Sequence, residues 1–581
     1  MKKRLLSLLL AVVMLVSLMV GLGITASAED VLLIAPAPAA PATTVIGNND
    51  VTELKIGQNT VFVYAPQSML SVSSTCTAPC FMVFGDKAYT ADEVKAAAAM
   101  SGLEALAAAE GASIVFINPQ GESWTDADAA AYAMLIDLYS NASTANFVGG
   151  IADVFNFMTG GSDRKILGDT GRVYIYGEGK GADFVAKNLM KKVVASVTYP
   201  DGFTMTFDRT PTSITLFNPT ALPAASEPAD IAVAVVNGPA DAAEKLATLT
   251  KKAVVDTTLG TGFDAFWIRD NYKTISGAYR RQVGVLLPVH DWDAEGITET
   301  VKSLKFPGGR TMGYVVYHAS AQNVHPTARK VPLVLTFHGG DNTALYQAQA
   351  SEWPVIGKEN GFITVAVDNH VAYSGTDIVI LVNQLMKDYP IDASRIYASG
   401  FSMGSVKSWE LFDNPLFAGV APMSGSFQAP AGDPAGHIMP AFYVGGEASP
   451  LPELCHQGPD IINRVTYLMK ANKIDANYKY DKSANLFWGA NGDLVYKVSD
   501  KVAFKDSVLT VNLFKSEDGC YYTALASSGN MSHEVYARNS WAAWDFLKQF
   551  SRNEDGSVSI HAVDYTLASD DGAVVNNGYN K

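Results

Sequence analysis

The sequence predicts two tandem α/β domains, each a mostly parallel sheet covered by helices on both faces. Three observations carry this expectation. A chain of 581 residues exceeds what one hydrophobic core usually organises. β-Branched runs alternate with helix-compatible segments across short Gly or Asp turns, the pattern of parallel strands joined by crossover helices. The strand-loop series of the second half also recurs, in the same order, in the first.

The repeat is explicit. The second half reads VPLVLTFHGGD (331–341), GFITVAVDNH (361–370) and RIYASGFSMGS (395–405). The first half reads APCFMVFGD (78–86), GASIVFINPQ (111–120) and RVYIYGEGKGA (172–182). In the best-matched pair Arg172 aligns with Arg395, Tyr174 with Tyr397, Gly177 with Gly400 and Gly181 with Gly404. That register sets Gly179 where Ser402 stands, so the first half lacks a hydroxyl at the corresponding turn. It also lacks histidine, since His290 is the first in the chain. The expected division is 51–280 for a catalytically degenerate copy and 281–581 for the domain that retains its chemistry, with VGVLLPV and SLKFPGGRTMGYVVYHAS as strands opening the second domain.

Residues 1–28 read as a signal peptide: basic Lys2, Lys3 and Arg4, an apolar run from Leu5 to about Val20, and a small-residue Ala26-Ser27-Ala28 ending. Residues 29–50 read as an extended Pro/Ala-rich linker. The expectation is a secreted protein with no membrane span after cleavage. A net charge of -15 leaves no basic stripe, which argues against nucleic acid as a partner. Cys76, Cys80, Cys455 and Cys520 are compatible with disulfides or with buried thiols, and their spacing gives no zinc ligand set.

The chemistry concentrates in the second half. GFSMG at 400–404 follows the strand-like RIYAS and precedes the helix-compatible VKSWELF. A Ser at such a sharp strand-to-helix turn adopts strained angles, needs small neighbours, and projects its hydroxyl from the sheet edge. HGGD at 338–341 ends an earlier strand, and its glycines let a backbone N–H approach a substrate carbonyl. Gly339 or Gly340 would then join Met403 as oxyanion donors. His533, in GNMSHEV before the final long helix, is the expected general base. His561, in the strand-like SVSIHAV, is its rival, with His437 and His456 as poorer candidates. For the acid, Glu447 in GGEASP is the first choice, with Glu453 and Asp433 as substitutes. Aromatics such as Trp353, Tyr373 and Trp488 are expected mainly in the core, with a pocket-lining use as the alternative.

HGGDN, RIYASGFSMG and SHEV together resemble the polyhydroxybutyrate-depolymerase-like esterases, a group of α/β-hydrolases that includes feruloyl and acetyl-xylan esterases. The resemblance covers about 275–550. It implies a Ser-His-acid triad, an HGG oxyanion loop, an ester substrate, and no metal or organic cofactor; with the internal repeat, through which alone the first half resembles the group, the expectation is two tandem α/β-hydrolase-like domains with the first degenerate. It carries over Ser402, His533 and the HGG loop. The family acid, usually an Asp one residue before the Pro, is here Ser449. Two other readings are weighed. A secreted peptidase of the prolyl-oligopeptidase type would usually carry propeller repeats of about 40–50 residues, and none is visible. A non-catalytic surface binding protein would follow if both halves had lost their chemistry.

Overall fold

The computed structural model describes residues 43–46, 51–64, 79–110, 112–132, 135, 171–198, 204–223, 230–250, 252–256, 265–340, 342–425, 433–434, 436–561 and 564–577. The signal-peptide expectation, Cys76 and Asp341 lie outside them. The chain divides into two compact units, Met1–Val289 and His290–Lys581.

The first unit is built on a nine-stranded sheet. Its strands are β1 (Thr43–Ile46), β2 (Val51–Ile56), β3 (Asn59–Tyr64), β4 (Cys80–Phe84), β5 (Ser113–Ile117), β6 (Val173–Glu178), β7 (Ser213–Phe217), β8 (Ala232–Val236) and β9 (Lys252–Asp256). Their order is β1-β2-β3-β5-β4-β6-β7-β8-β9. β1 falls inside the segment read as linker, where it pairs antiparallel with β2. Apolar residues fill both faces, as a sheet covered on both sides requires. Phe81 and Val83 of β4 join one core layer with Tyr174 and Phe217, while Met82 and Phe84 join the other with Ile175 and Leu216.

The second unit holds a ten-stranded sheet. Its strands are β10 (Ile297–Lys305), β11 (Thr311–Ala319), β12 (Val331–Phe337), β13 (Ile363–Val367), β14 (Ile391–Phe401), β15 (Gly419–Met423), β16 (Ala441–Gly446), β17 (Leu494–Ser499), β18 (Val508–Lys515) and β19 (Tyr521–Ser528). The order is β10-β11-β13-β12-β14-β15-β16-β19-β18-β17. Leu333, Leu335 and Phe337 of β12 pack with Ile363 and Val365 on one face, and Val334 packs with Trp353 and Tyr397 on the other.

From β2 to β9 and from β10 to β19 the strands follow one order. In each run the second strand is antiparallel to both neighbours, and all later pairs are parallel. The parallel stretch sets the carboxyl ends of β12, β14, β15, β16 and β19 along one edge of the second sheet. Phe337 is in register with Gly400, Phe401 with Met423, and Gly446 with Ser528. A ligand site in an open α/β sheet is expected along that edge.

The sequence reading opened the second domain at residue 281, whereas the division falls between Val289 and His290. VGVLLPV belongs to the first unit because Val285–Pro288 forms a hairpin with Tyr279–Gln282. Arg281 anchors that hairpin, its N–H donating to Gly171 O at 2.6 Å and its guanidinium to Pro211 O at 3.2 Å. The guanidinium also donates to the Asp230 carbonyl. SLKFPGGRTMGYVVYHAS does open the second sheet, as the β10–β11 hairpin. Trp353 and Trp488 are fully buried, so both serve the core. Tyr373 is nearly buried, with the Arg310 guanidinium 5.1 Å from its ring.

Helix α1 (Lys180–Asn188) follows β6, and helix α2 (Met403–Glu410) follows β14. A Cβ added at Gly404 would lie 2.0 Å from Phe337 O, so only glycine lets α2 begin this close to the end of β12. Gly404→Ala is expected to lower stability by about 1–3 kcal/mol through forced overpacking, measured as a drop in thermal midpoint of the intact chain.

Candidate active site

Ser402 links β14 to α2 with φ 53° and ψ -112°, a region that non-glycine residues avoid. Holding a residue there costs on the order of 1–3 kcal/mol, so its surroundings must impose it. They do so from three sides. The Ser402 N–H donates to Met423 O at 3.0 Å, α2 is pressed against β12, and Gly425 lies so close that a Cβ there would be 2.9 Å from Ser402 O. The hydroxyl is thereby presented at the sheet edge and partly exposed.

His533 arrives from the loop after β19. Its Nε2 is 2.8 Å from Ser402 Oγ, and its Nδ1 is 2.6 Å from Glu453 Oε1. The Phe401 ring packs against the imidazole at 4.9 Å. The loop is pinned by Ala448 N–H donating to Met531 O at 3.0 Å and by Ser424 Oγ donating to Glu534 O at 3.1 Å. The carboxylate contact assigns the Nδ1–H tautomer, leaving Nε2 to accept the Ser402 proton.

Glu453, the first substitute in the sequence reading, is the carboxylate that meets His533. Its side chain is 1% exposed, against 20% for His533. A buried carboxylate needs a full set of donors. Oε2 accepts from Gly446 N–H at 2.6 Å, and Oε1 accepts from Ser449 Oγ–H at 2.6 Å as well as from His533. Tyr443 OH holds the Glu453 carbonyl at 2.8 Å.

Glu447, the sequence's first choice, is not at the imidazole. Its N–H donates to Ser528 O at 3.0 Å and its Oε1 accepts from Ser527 Oγ at 2.7 Å, so the side chain is turned to β19. Asp433 forms an exposed ion pair with Lys470. The missed signal was the Gly445-Gly446 pair. A Cβ at Gly445 would lie 2.8 Å from Glu453 O, and one at Gly446 would lie 2.4 Å from Met531 O. Two glycines at the end of β16 therefore let the acid loop and the histidine loop close on the same strand end. His561 sits after the Val558–Ile560 strand, its N–H on Gln549 O at 2.7 Å. His456 lies against Phe487.

The HGG loop is fixed by its own histidine. His338 Nε2 accepts from Asn369 N–H at 3.2 Å, so Nδ1 carries the proton and donates to Gly339 O at 2.7 Å. In a trans peptide the C=O and the following N–H point opposite ways, which sets the direction of the Gly340 N–H. Gly340 borders Met403, a Cβ there being 3.5 Å from Met403 Cγ, whereas a Cβ at Gly339 would strike the Phe401 ring at 2.7 Å. Among the described residues, neither the Gly340 nor the Met403 N–H has an acceptor. His370 supports the loop by donating from Nε2 to His338 O at 2.8 Å. Among the described residues no group of three or more His, Cys, Asp or Glu could hold a metal ion. Cys455 and Cys520 are buried thiols outside any disulfide, and Cys520 Sγ donates to Asn577 O at 2.6 Å.

No family model matches the chain. Over 159 residues it is 30% identical to a bifunctional acetylxylan esterase/xylanase of Neocallimastix patriciarum, a stretch covering 26% of this chain and 23% of that protein. The chain thus spans about a quarter of the length of the curated relative it matches. Among solved structures it is similar to an acetyl xylan esterase from Aspergillus awamori, at 11% identity over 43% of this chain and 99% of that one, with a TM-score of 0.30. A feruloyl esterase module from Clostridium thermocellum gives 13% identity, 42% and 85% coverage, and a TM-score of 0.28. A thermostable esterase gives 23%, 26% and 48%, with a TM-score of 0.21.

Burial holds the His370 pKa well below the ordinary histidine value, and the adjacent His338 adds to this. The unfolded chain then takes up a proton that the folded chain refuses, so stability falls as pH drops below about 6.5, by about 1.4 kcal/mol per pH unit. His370→Gln, which keeps an N–H for His338 O, is expected to flatten the fall in thermal midpoint between pH 7 and pH 5.

Proposed function

We propose that the second unit is a serine hydrolase of carboxylic esters, with Ser402 as nucleophile, His533 as general base and Glu453 as the carboxylate that orients it. The observation that carries this reading is the unbroken hydrogen-bonded series Ser402 Oγ, His533 Nε2, His533 Nδ1, Glu453 Oε1, with contacts of 2.8 Å and 2.6 Å. His533 takes the Ser402 proton as Oγ attacks the ester carbonyl. The developing oxyanion is held by the Met403 and Gly340 N–H groups. His533 then returns the proton to the departing alcohol, leaving an acyl-Ser402. Water enters, gives a proton to His533 and attacks the acyl carbonyl. His533 returns that proton to Ser402 Oγ as the acyl–oxygen bond breaks, which releases the acid and restores Ser402.

Short acyl esters borne on plant polysaccharide are the favoured substrate class over polyesters, a choice supported by the acetylxylan esterase described for the matched relative. The protein works outside the cell, a reading supported by Lys2, Lys3, Arg4 and the apolar run before Ala26-Ser27-Ala28. No helix among the described residues is long and apolar enough to cross a membrane.

The first unit is a degenerate copy of the second. Beyond the common strand order, support comes from the turn at Gly179, with φ 52° and ψ -118°, the near-twin of Ser402. Gly179 N–H donates to Phe217 O at 2.9 Å, as Ser402 N–H does to Met423 O. Gly181 approaches Phe84 O as Gly404 approaches Phe337 O. The nucleophile is glycine, no histidine precedes His290, and the Lys180 N–H, counterpart of Met403 N–H, donates to Asp86 Oδ1 at 2.9 Å. A side chain at Gly179 would also meet Asp86, since a Cβ there lies 2.3 Å from that oxygen. A negatively charged group thus sits where an ester oxyanion would be stabilised.

Wild type is expected to give burst release from a p-nitrophenyl acyl ester, and Ser402→Ala none. Glu453→Gln is expected to lower kcat by about 10³ to 10⁴-fold, because an amide cannot stabilise the imidazolium. Glu447→Gln should change it less than about threefold; a reversed order for the two glutamates would refute the assigned acid. In the first unit, Gly179→Ser on a Ser402→Ala background is expected to stay unlabelled by a fluorophosphonate.

A further inference from the structure

Ser449 stands where the resembled family usually carries its acid, and it has not become a bystander. It is 8% exposed, and its hydroxyl donates at 2.6 Å to Glu453 Oε1, the same oxygen that His533 Nδ1 meets. The serine is itself held. Its Oγ accepts from Leu451 N–H at 3.1 Å, its N–H donates to Gly446 O at 3.2 Å, and its carbonyl accepts from Gln457 Nε2 at 3.1 Å. Gln457 also receives the Glu453 and Leu454 N–H groups at 2.8 Å each, tying the serine to the backbone of the glutamate it serves.

We infer that Ser449 is a positioning residue for catalysis: its hydroxyl holds the Glu453 carboxylate against His533 and draws charge from the oxygen that faces the imidazole. The inference rests on the reading of Ser402, His533 and Glu453 as a catalytic triad. A carboxylate oxygen shared between two donors is a weaker base than one serving the imidazole alone. The hydroxyl therefore moderates how strongly the protonated imidazole is stabilised and keeps Glu453 from swinging away on its longer side chain. The neighbouring ionisable groups leave this balance undisturbed near neutral pH. Burial raises the Tyr443 hydroxyl far above its usual range and pushes Cys455 up to about 12, so both stay neutral. Glu447 faces Ser527, and His456 is turned to Phe487, where burial lowers its pKa.

The test is a pH profile. Ser449→Ala removes one charge-assisted hydrogen bond and is expected to lower kcat about tenfold with little change in KM. The acid limb of kcat/KM should move as well, since the hydrogen bonds on the oxygen that faces the imidazole have changed. Ser449→Thr keeps a hydroxyl and should restore both. Ser449→Cys, near in volume but a weak donor, should behave like the alanine variant and serves if that one does not fold. A lowered kcat with an unmoved limb, or a threonine variant as impaired as alanine, would overturn the inference. Fluorophosphonate titration separates the two levels: an unlabelled wild type sinks the esterase reading and this inference with it. A labelled wild type whose Ser449→Ala variant keeps full kcat sinks the inference alone.

Discussion

Backbone pressed directly on backbone is the constraint from which the site follows. Gly404 lets the first turn of α2 rest on the carbonyl end of β12, with no room there for even a methyl group. That contact, with the Ser402 N–H bond to Met423 O, forces Ser402 into a left-handed turn it would not adopt alone. The strain is sustained because the parallel sheet beneath is buried on both faces and cannot yield locally. The same contact sets Met403 beside the HGG loop, so one packing event places both the hydroxyl and the N–H proposed to hold the oxyanion.

The second organising feature is a buried carboxylate that is fully solvated by the protein. Glu453 lies in the interior with three donors, from Gly446, Ser449 and His533. Removing any of them would leave a buried charge short of a partner, a large penalty in a low-dielectric setting. The acid loop and the histidine loop meet because Gly445 and Gly446 present no side chains between them. The loop from the end of β16 to Glu453 thus spends its glycines on closeness and its serine on orientation.

On the proposed reading, the first unit keeps the architecture without the chemistry. Its eight-strand run, its positive-φ turn at Gly179 and its close contact at Gly181 parallel the second unit. Glycine at position 179 relieves the strain that Ser402 bears, because glycine occupies positive φ freely.

Sequence alone determined the alternation of strands and helices, the elbow at GFSMG, the HGG loop and the histidine in GNMSHEV. Each is written locally, in β-branched runs, in glycine spacing and in turn chemistry, and His533 indeed reaches Ser402 across 131 positions of chain. Sequence also aligns Arg172 to Gly181 with Arg395 to Gly404, two segments whose strands hold the same place in the strand order of their sheets. It did not decide among Glu447, Glu453 and Asp433. All three are acidic residues in polar stretches, Glu447 and Glu453 after β16 and Asp433 between β15 and β16, and only tertiary packing turns Glu447 to Ser527 and buries Glu453 against the imidazole. The edge of the first unit was missed for a similar reason. Val285–Pro288 reads locally as a strand, but its membership is set by Arg281 reaching carbonyls at Gly171 and Pro211, partners far away in the chain. Local pattern specifies what an element is; which distant loop it meets depends on the burial of the whole sheet.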